Sequence, residues 1–268
     1  MMPRLTPSIV HALLLCLCPG VSHAATAAMP ELPAARVIGT VLLNRGDRID
    51  TGTLGSVAVS DPRLGSATLS VLGTPLSIVQ ASASAGPSAD LALLFNRGVG
   101  ILSFGFAIDG PTSTVPVLID VLGSAMGAAS AGASFAVLAG WELYSSPSQT
   151  QLLATDLVQS GQVSGTFAQG FQRTVPLTLN TQQVYWVVLR ADAGAAASKL
   201  GSSAQASSFV DPLFRTGAGV DGDLYDFVFS AGIGNQPVPE PAAVLLTGLG
   251  LGMLALRMRR SASPAQRR

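Results

Sequence analysis

Residues 25–236 predict an all-β fold, a two-sheet β-sandwich of jelly-roll type, on three observations. Charged residues make up only 11% of the chain and hydrophobic ones 48%, which leaves few charged helical faces for solvent. Glycine and proline, 29 and 17 of them, punctuate the chain as often as short strands and turns require. Apolar residues recur at every second position in short runs, and few segments have both the length and the 3.6-residue period of an amphipathic helix. A chain of 268 residues accommodates one such domain, because a single all-β sandwich uses about 200 to 250 residues.

The strands are expected, in order, over residues 36–43, 57–60, 67–72, 76–81, 91–95, 101–108, 115–122, 135–144, 184–190 and 224–230. In 101–108 a period of two puts Leu102, Phe104, Phe106 and Ile108 on one buried face. Residues 177–181 followed by 184–189 read as strand, turn, strand. Three stretches rich in Ala, Ser and Gly, at 81–89, 123–134 and 191–208, are expected to be exposed loops, since small residues bury little area against the entropy of ordering.

The ends of the chain have a different logic. Arg4, an apolar run from Ile9 to Cys18 and then Ser22-His23-Ala24 give the charge, core and small-residue pattern of a signal peptide. Cleavage is expected between Ala24 and Ala25, leaving residues 1–24 as the removed segment, with Ala27 as the alternative site. At the other end, Val238-Pro239-Glu240-Pro241 precedes an uncharged run over 242–256, then Arg257, Arg259 and Arg260. Those fifteen residues rise about 22 Å as a helix, short of a hydrocarbon core of roughly 30 Å, so the arginines must snorkel or the bilayer thin. The arginine cluster marks the cytoplasmic side, with 261–268 as a cytoplasmic tail and 25–241 outside.

Pro-Glu-Pro, apolar span and terminal arginines, in that order, resemble the PEP-CTERM sorting domain, here over 237–260. Residues 207–214 and 225–235 are similar to the closing strands of many proteins of that kind. The resemblance implies a Gram-negative host that makes extracellular polysaccharide and an exosortase that processes the chain near Pro239-Glu240-Pro241. It implies passage through an inner-membrane intermediate to the cell surface or medium, and it carries over no active site.

Composition also excludes chemistry. His11, His23, Cys16 and Cys18, the only histidines and cysteines, all precede the expected cleavage. The mature chain therefore holds no Ser-His-Asp or Cys-His nucleophile, no imidazole or thiolate zinc site and no disulfide. All 15 acidic residues but only nine of the 15 basic ones lie between Ala25 and Pro241, a balance of minus six that offers nucleic acid no basic stripe. Lys199, the one lysine, reads as a solvated side chain. Glu142 beside Trp141 reads as a solvent-facing carboxylate opposite a core aromatic. Asp221, Asp223 and Asp226 offer oxygens to calcium but lack the spacing of a calcium loop, so they read as an acidic turn, with no metal and no cofactor expected. Arg45-Gly46-Asp47 reads as a chance match to an adhesion tripeptide.

The expected role is that of a non-enzymatic surface or matrix protein associated with exopolysaccharide or biofilm. A carbohydrate-binding module is the alternative and requires Trp141, Tyr144, Tyr185 and Trp186 exposed on one face. A carbohydrate-active enzyme requires two carboxylates facing one cleft.

Overall fold

The computed structural model describes residues 29–44, 46–86 and 94–235. Their strands are β1 Arg36–Leu43, β2 Asp47–Thr51, β3 Gly55–Asp61, β4 Gly65–Leu72, β5 Ile78–Ala85, β6 Leu94–Asp109, β7 Thr114–Tyr144, β8 Leu152–Asn180, β9 Tyr185–Ala197, β10 Ala204–Thr216 and β11 Asp226–Phe229. A 3-10 turn, Gly222–Leu224, is the one helical element among them. No helix of the described residues is long and apolar enough to cross a membrane.

The described chain is therefore almost entirely β. Instead of two separate sheets, every strand joins one antiparallel sheet in the order β2-β1-β6-β9-β7-β10-β5-β4-β3, with β8 beside β7 and β11 beside β6. The sheet rolls into a nearly closed barrel: β1 faces β4, β6 faces β4 and β5, and β9 faces β5 and β10 without pairing to them. Glycine permits the closest approach. A Cβ on Gly98 would lie 2.4 Å from the Thr68 carbonyl oxygen of the facing half, and one on Gly100 would lie 2.4 Å from Leu69.

The roll is made at one corner. Up to Ala129, β7 pairs with β10, and from Ala133 it pairs with β9. Its register with β8 shifts between Ala129 and Ser134. Strands that bend this sharply need bulged residues and glycine. Gly132 takes φ 84°, and opposite it Ser164 and Gly165 take φ 63° and 98°. The Phe135 ring, from one arm of β7, occupies the space a Gly127 side chain would take on the other arm. Ser130 donates its N–H to the Ser203 carbonyl at 2.9 Å, and Ser198 donates its own to Gly132 at 2.8 Å, so the bent backbone stays hydrogen-bonded.

Odd-numbered residues of β7 face inward. Val115, Val117, Ile119 and Val121 on one arm meet Val137, Ala139, Trp141 and Leu143 on the other within the main core. At its aromatic end Phe106 and Phe214 lie 4.8 Å apart, with Tyr185 stacked 5.4 Å from Phe106.

The small-residue stretches correct the expectation of loops. Residues 81–85, 123–134 and most of 191–208 are strand. A second, smaller core is made of Ala83, Ala85, Ala133, Ala195, Ala197 and Ala204 around Leu94. Alanine points in at every second position while serine points out and pairs across strands, as Thr68 does with Ser82 at 2.7 Å and Ser66 with Ser84 at 2.9 Å. Small side chains suit this end because the two halves converge there. The expected strands 115–122 and 135–144 are arms of one strand, β7, while β2 and most of β8 were not expected.

Candidate functional sites

The expected cleavage site at Ala24 and Ala25, the motif Val238-Pro239-Glu240-Pro241 and the cluster Arg257, Arg259 and Arg260 lie outside the described residues. The last described residue, Asn235, is pinned to the domain. Its side chain accepts from the Phe214 N–H at 2.8 Å and donates to the Phe214 carbonyl at 2.7 Å, completing a ladder rung like a neighbouring strand.

Asp221 and Asp223 belong to the turn before β11. Asp221 accepts the Asp223 N–H at 3.2 Å, capping the 3-10 turn. Asp226 sits on β11 opposite Asp109 of β6. Among the described residues no three acidic, histidine or cysteine side chains are grouped to hold a metal.

The aromatic residues needed for a sugar platform do not form one. Trp141 and Tyr185 are buried, and Trp186 on the opposite face of the sheet is buried as well. The Trp141 indole donates to Asp156 at 3.1 Å. Glu142 faces outward as expected, but it is tied, accepting from Arg190 at 3.1 Å and from the Tyr144 hydroxyl at 2.9 Å. Burial first, and then that hydrogen bond, raises the Tyr144 phenol above its ordinary range.

A carboxylate pair lies elsewhere. Asp120 of β7 and Asp211 of β10 line one hollow of about 280 Å³ with Leu122, Gln172, Thr174 and Leu213. The register places them on one face, Asp211 opposite Leu122 and Asp120 opposite Leu213. Their environments differ. Asp120 accepts from Arg215 and from the Thr174 hydroxyl, both at 2.5 Å. These bonds, Arg215 first, hold it below the usual carboxylate range. Asp211 has one buried oxygen with no partner, and burial pushes its carboxyl up to about 6. A pair driven apart in this way divides acid from base in many enzymes. The sequence held one trace of the site, Asp211 inside the apolar run Phe209-Val210-Asp211-Pro212-Leu213-Phe214. The approach of Asp120 depends on strand register, which no local pattern displays.

Comparison with known proteins adds no identity. No family model matches the chain, and no curated protein matches it. Among solved structures it is similar to a viral particle of infectious bursal disease virus, at 9% identity over 85% of this chain and 86% of that one, with a TM-score of 0.16. The Gx strain of the same virus gives 10% identity over 84% and 90%, with a TM-score of 0.15. Scores so low carry no argument about fold or function.

Proposed function

We propose that this chain is an exported, non-enzymatic cell-surface or matrix protein, sorted through its C-terminus by an exosortase-type enzyme and associated with extracellular polysaccharide. The observation that carries this reading is the order of Pro239-Glu240-Pro241, an uncharged span and Arg257, Arg259 and Arg260 at the end of a chain that begins like a signal peptide. The two halves of the rolled sheet correspond, on this reading, to the layers of a jelly-roll-like sandwich. A non-enzymatic role is supported by how many carboxylates are engaged by arginine: Asp120 by Arg215, Glu142 by Arg190, Asp156 by Arg173 and Asp192 by Arg97.

Sorting and simple retention make different demands on the same residues. Hydrophobicity alone holds a spanning helix, so Glu240→Ala leaves mere retention unchanged. An enzyme that reads the motif loses its substrate. In a host with an exosortase, Pro239→Ala, Glu240→Ala or Pro241→Ala is expected to leave uncleaved protein in the inner membrane while wild type reaches the surface or medium. Processing of these variants like wild type would replace the sorting reading with an ordinary tail anchor.

The Asp120 and Asp211 hollow favours one second reading, binding or cleavage of a polysaccharide by the paired carboxylates. Binding or hydrolysis of the host's exopolysaccharide that disappears in Asp211→Asn would establish it over the matrix role.

A further inference from the structure

The strand β8 ends the sheet without ending the core. Among the described residues its only strand neighbour is β7, so along its other side the backbone N–H and C=O groups have no ladder partner. The corner divides it into two edges, 152–163 beside one arm of β7 and 165–180 beside the other. Asp156 on the first half and Arg173 on the second meet at 2.8 Å, which places the two edges face to face across the interior.

Three properties set this doubled edge apart from a solvated rim. Its inward side chains include Phe167, Phe171 and Val175, which pack on the core yet remain partly exposed. Five large apolar side chains exposed outward, Leu122, Met126, Leu152, Leu157 and Val163, lie on β8 and the strand beside it. Edge strands are ordinarily protected by lysine, proline or unpaired inward charges. Here there is no lysine, the inward charges Asp156 and Arg173 neutralise each other, and Pro176 interrupts only the last few residues.

We infer that β8 is the interface between two copies of this chain, joined edge to edge. An occupant has to supply two strands at once, separated by the spacing of this fold's own layers. A single extended peptide supplies one strand, whereas a second copy supplies both. One two-fold axis normal to the layers sets each half of β8 antiparallel to its own equivalent, so both pairings form together, the isologous contact of a symmetric dimer. Twelve residues of edge extend roughly 40 Å. Over a thickness of roughly 20 Å this covers about 800 Å² per partner, the size of a standard stable interface.

The test is the mass of the full chain in detergent by light scattering, with hydrogen exchange along β8. Wild type is expected to be a dimer with protected β8 amides. Leu157→Lys with Val163→Lys, two exposed positions, sets like charges together across the axis and is expected to give a cooperatively folded monomer that has lost that protection and whose melting temperature no longer rises with protein concentration. Should those lysines abolish cooperative melting, Gln159→Lys with Thr166→Lys, also exposed, takes their place with the same expectation. Ile38→Lys with Leu72→Lys, exposed away from β8, is expected to remain dimeric. A monomeric wild type overturns the inference: protected β8 amides would then assign the edge to the chain's own residues outside the described ones, and unprotected amides to a different molecule or none. A lysine variant that stays dimeric places the contact elsewhere, as does dissociation of the control.

Discussion

Asp211 is a carboxylate for which the fold provides no partner at one buried oxygen, and its cost depends on pH. With its carboxyl raised from 3.8 to about 6, the folded state holds a proton that the unfolded state has released between those values. Stability from this group is therefore greatest below the unfolded value and falls as pH rises through about 6. Asp120 has the opposite sign: held low by Arg215 and Thr174, it contributes above the ordinary carboxylate value and loses that contribution as pH falls. Asp211→Asn removes the buried charge while keeping the shape. After allowance for solvent screening it is expected to stabilise the domain by about 1–2 kcal/mol at neutral pH. Melting curves of the variant and wild type should diverge above about pH 6 and converge below about pH 4, and an equal gain at both extremes would assign the effect to packing.

At the scale of the element, the corner of β7 and β8 decides the architecture, because without it the sheet would be an open ribbon. Ser164 is a non-glycine residue at φ 63°, followed by Gly165 at φ 98°, and a side chain in that region costs roughly 1–2 kcal/mol. Gly165→Ala is expected to destabilise by about that amount, and Ser164→Gly to stabilise by up to about 1 kcal/mol, both read from urea midpoints at constant m-value. What the sequence displayed of such elements follows from side-chain size. The bulky alternation of Leu102, Phe104, Phe106 and Ile108 made β6 legible, whereas the Ala and Ser alternation of β5, β9 and β10 has the same period but resembles a flexible loop by composition. Most of β8 went unread because its residues are largely exposed on both faces, so no burial pattern is written into it. Similarly, Asp156 and Arg173 are 17 positions apart on one strand, and only the bend brings them together.

For the molecule as a whole, the connection between domain and C-terminal segment constrains where processing can occur. The last described residues close the fold. The Ser230 hydroxyl donates to the Pro33 carbonyl at 2.6 Å and accepts from the Gly105 N–H at 2.8 Å, joining both ends of the described chain to β6. Phe229 lies 5.5 Å from Phe214 and 5.9 Å from Phe106, while Phe227 lies 6.4 Å from each. Two phenylalanines contribute roughly 3–6 kcal/mol together when fully buried, so these partly buried ones contribute about 2–4 kcal/mol, and each lost ladder hydrogen bond about 1 kcal/mol more. Total stabilities of about 5–15 kcal/mol leave little after such a loss. Truncation after Asn235 is therefore expected to leave a cooperative thermal transition near that of the longer chain, while truncation after Tyr225 is expected to abolish or severely weaken it. The same logic applies to an enzyme cutting near Pro239-Glu240-Pro241, since a cut there leaves Asn235 and its hydrogen bonds to Phe214 in place, whereas a cut before Asp226 would take β11 away. Equal cooperativity in the two truncated chains would show that β11 decorates the sheet without closing it, and processing could then fall on either side of Asn235.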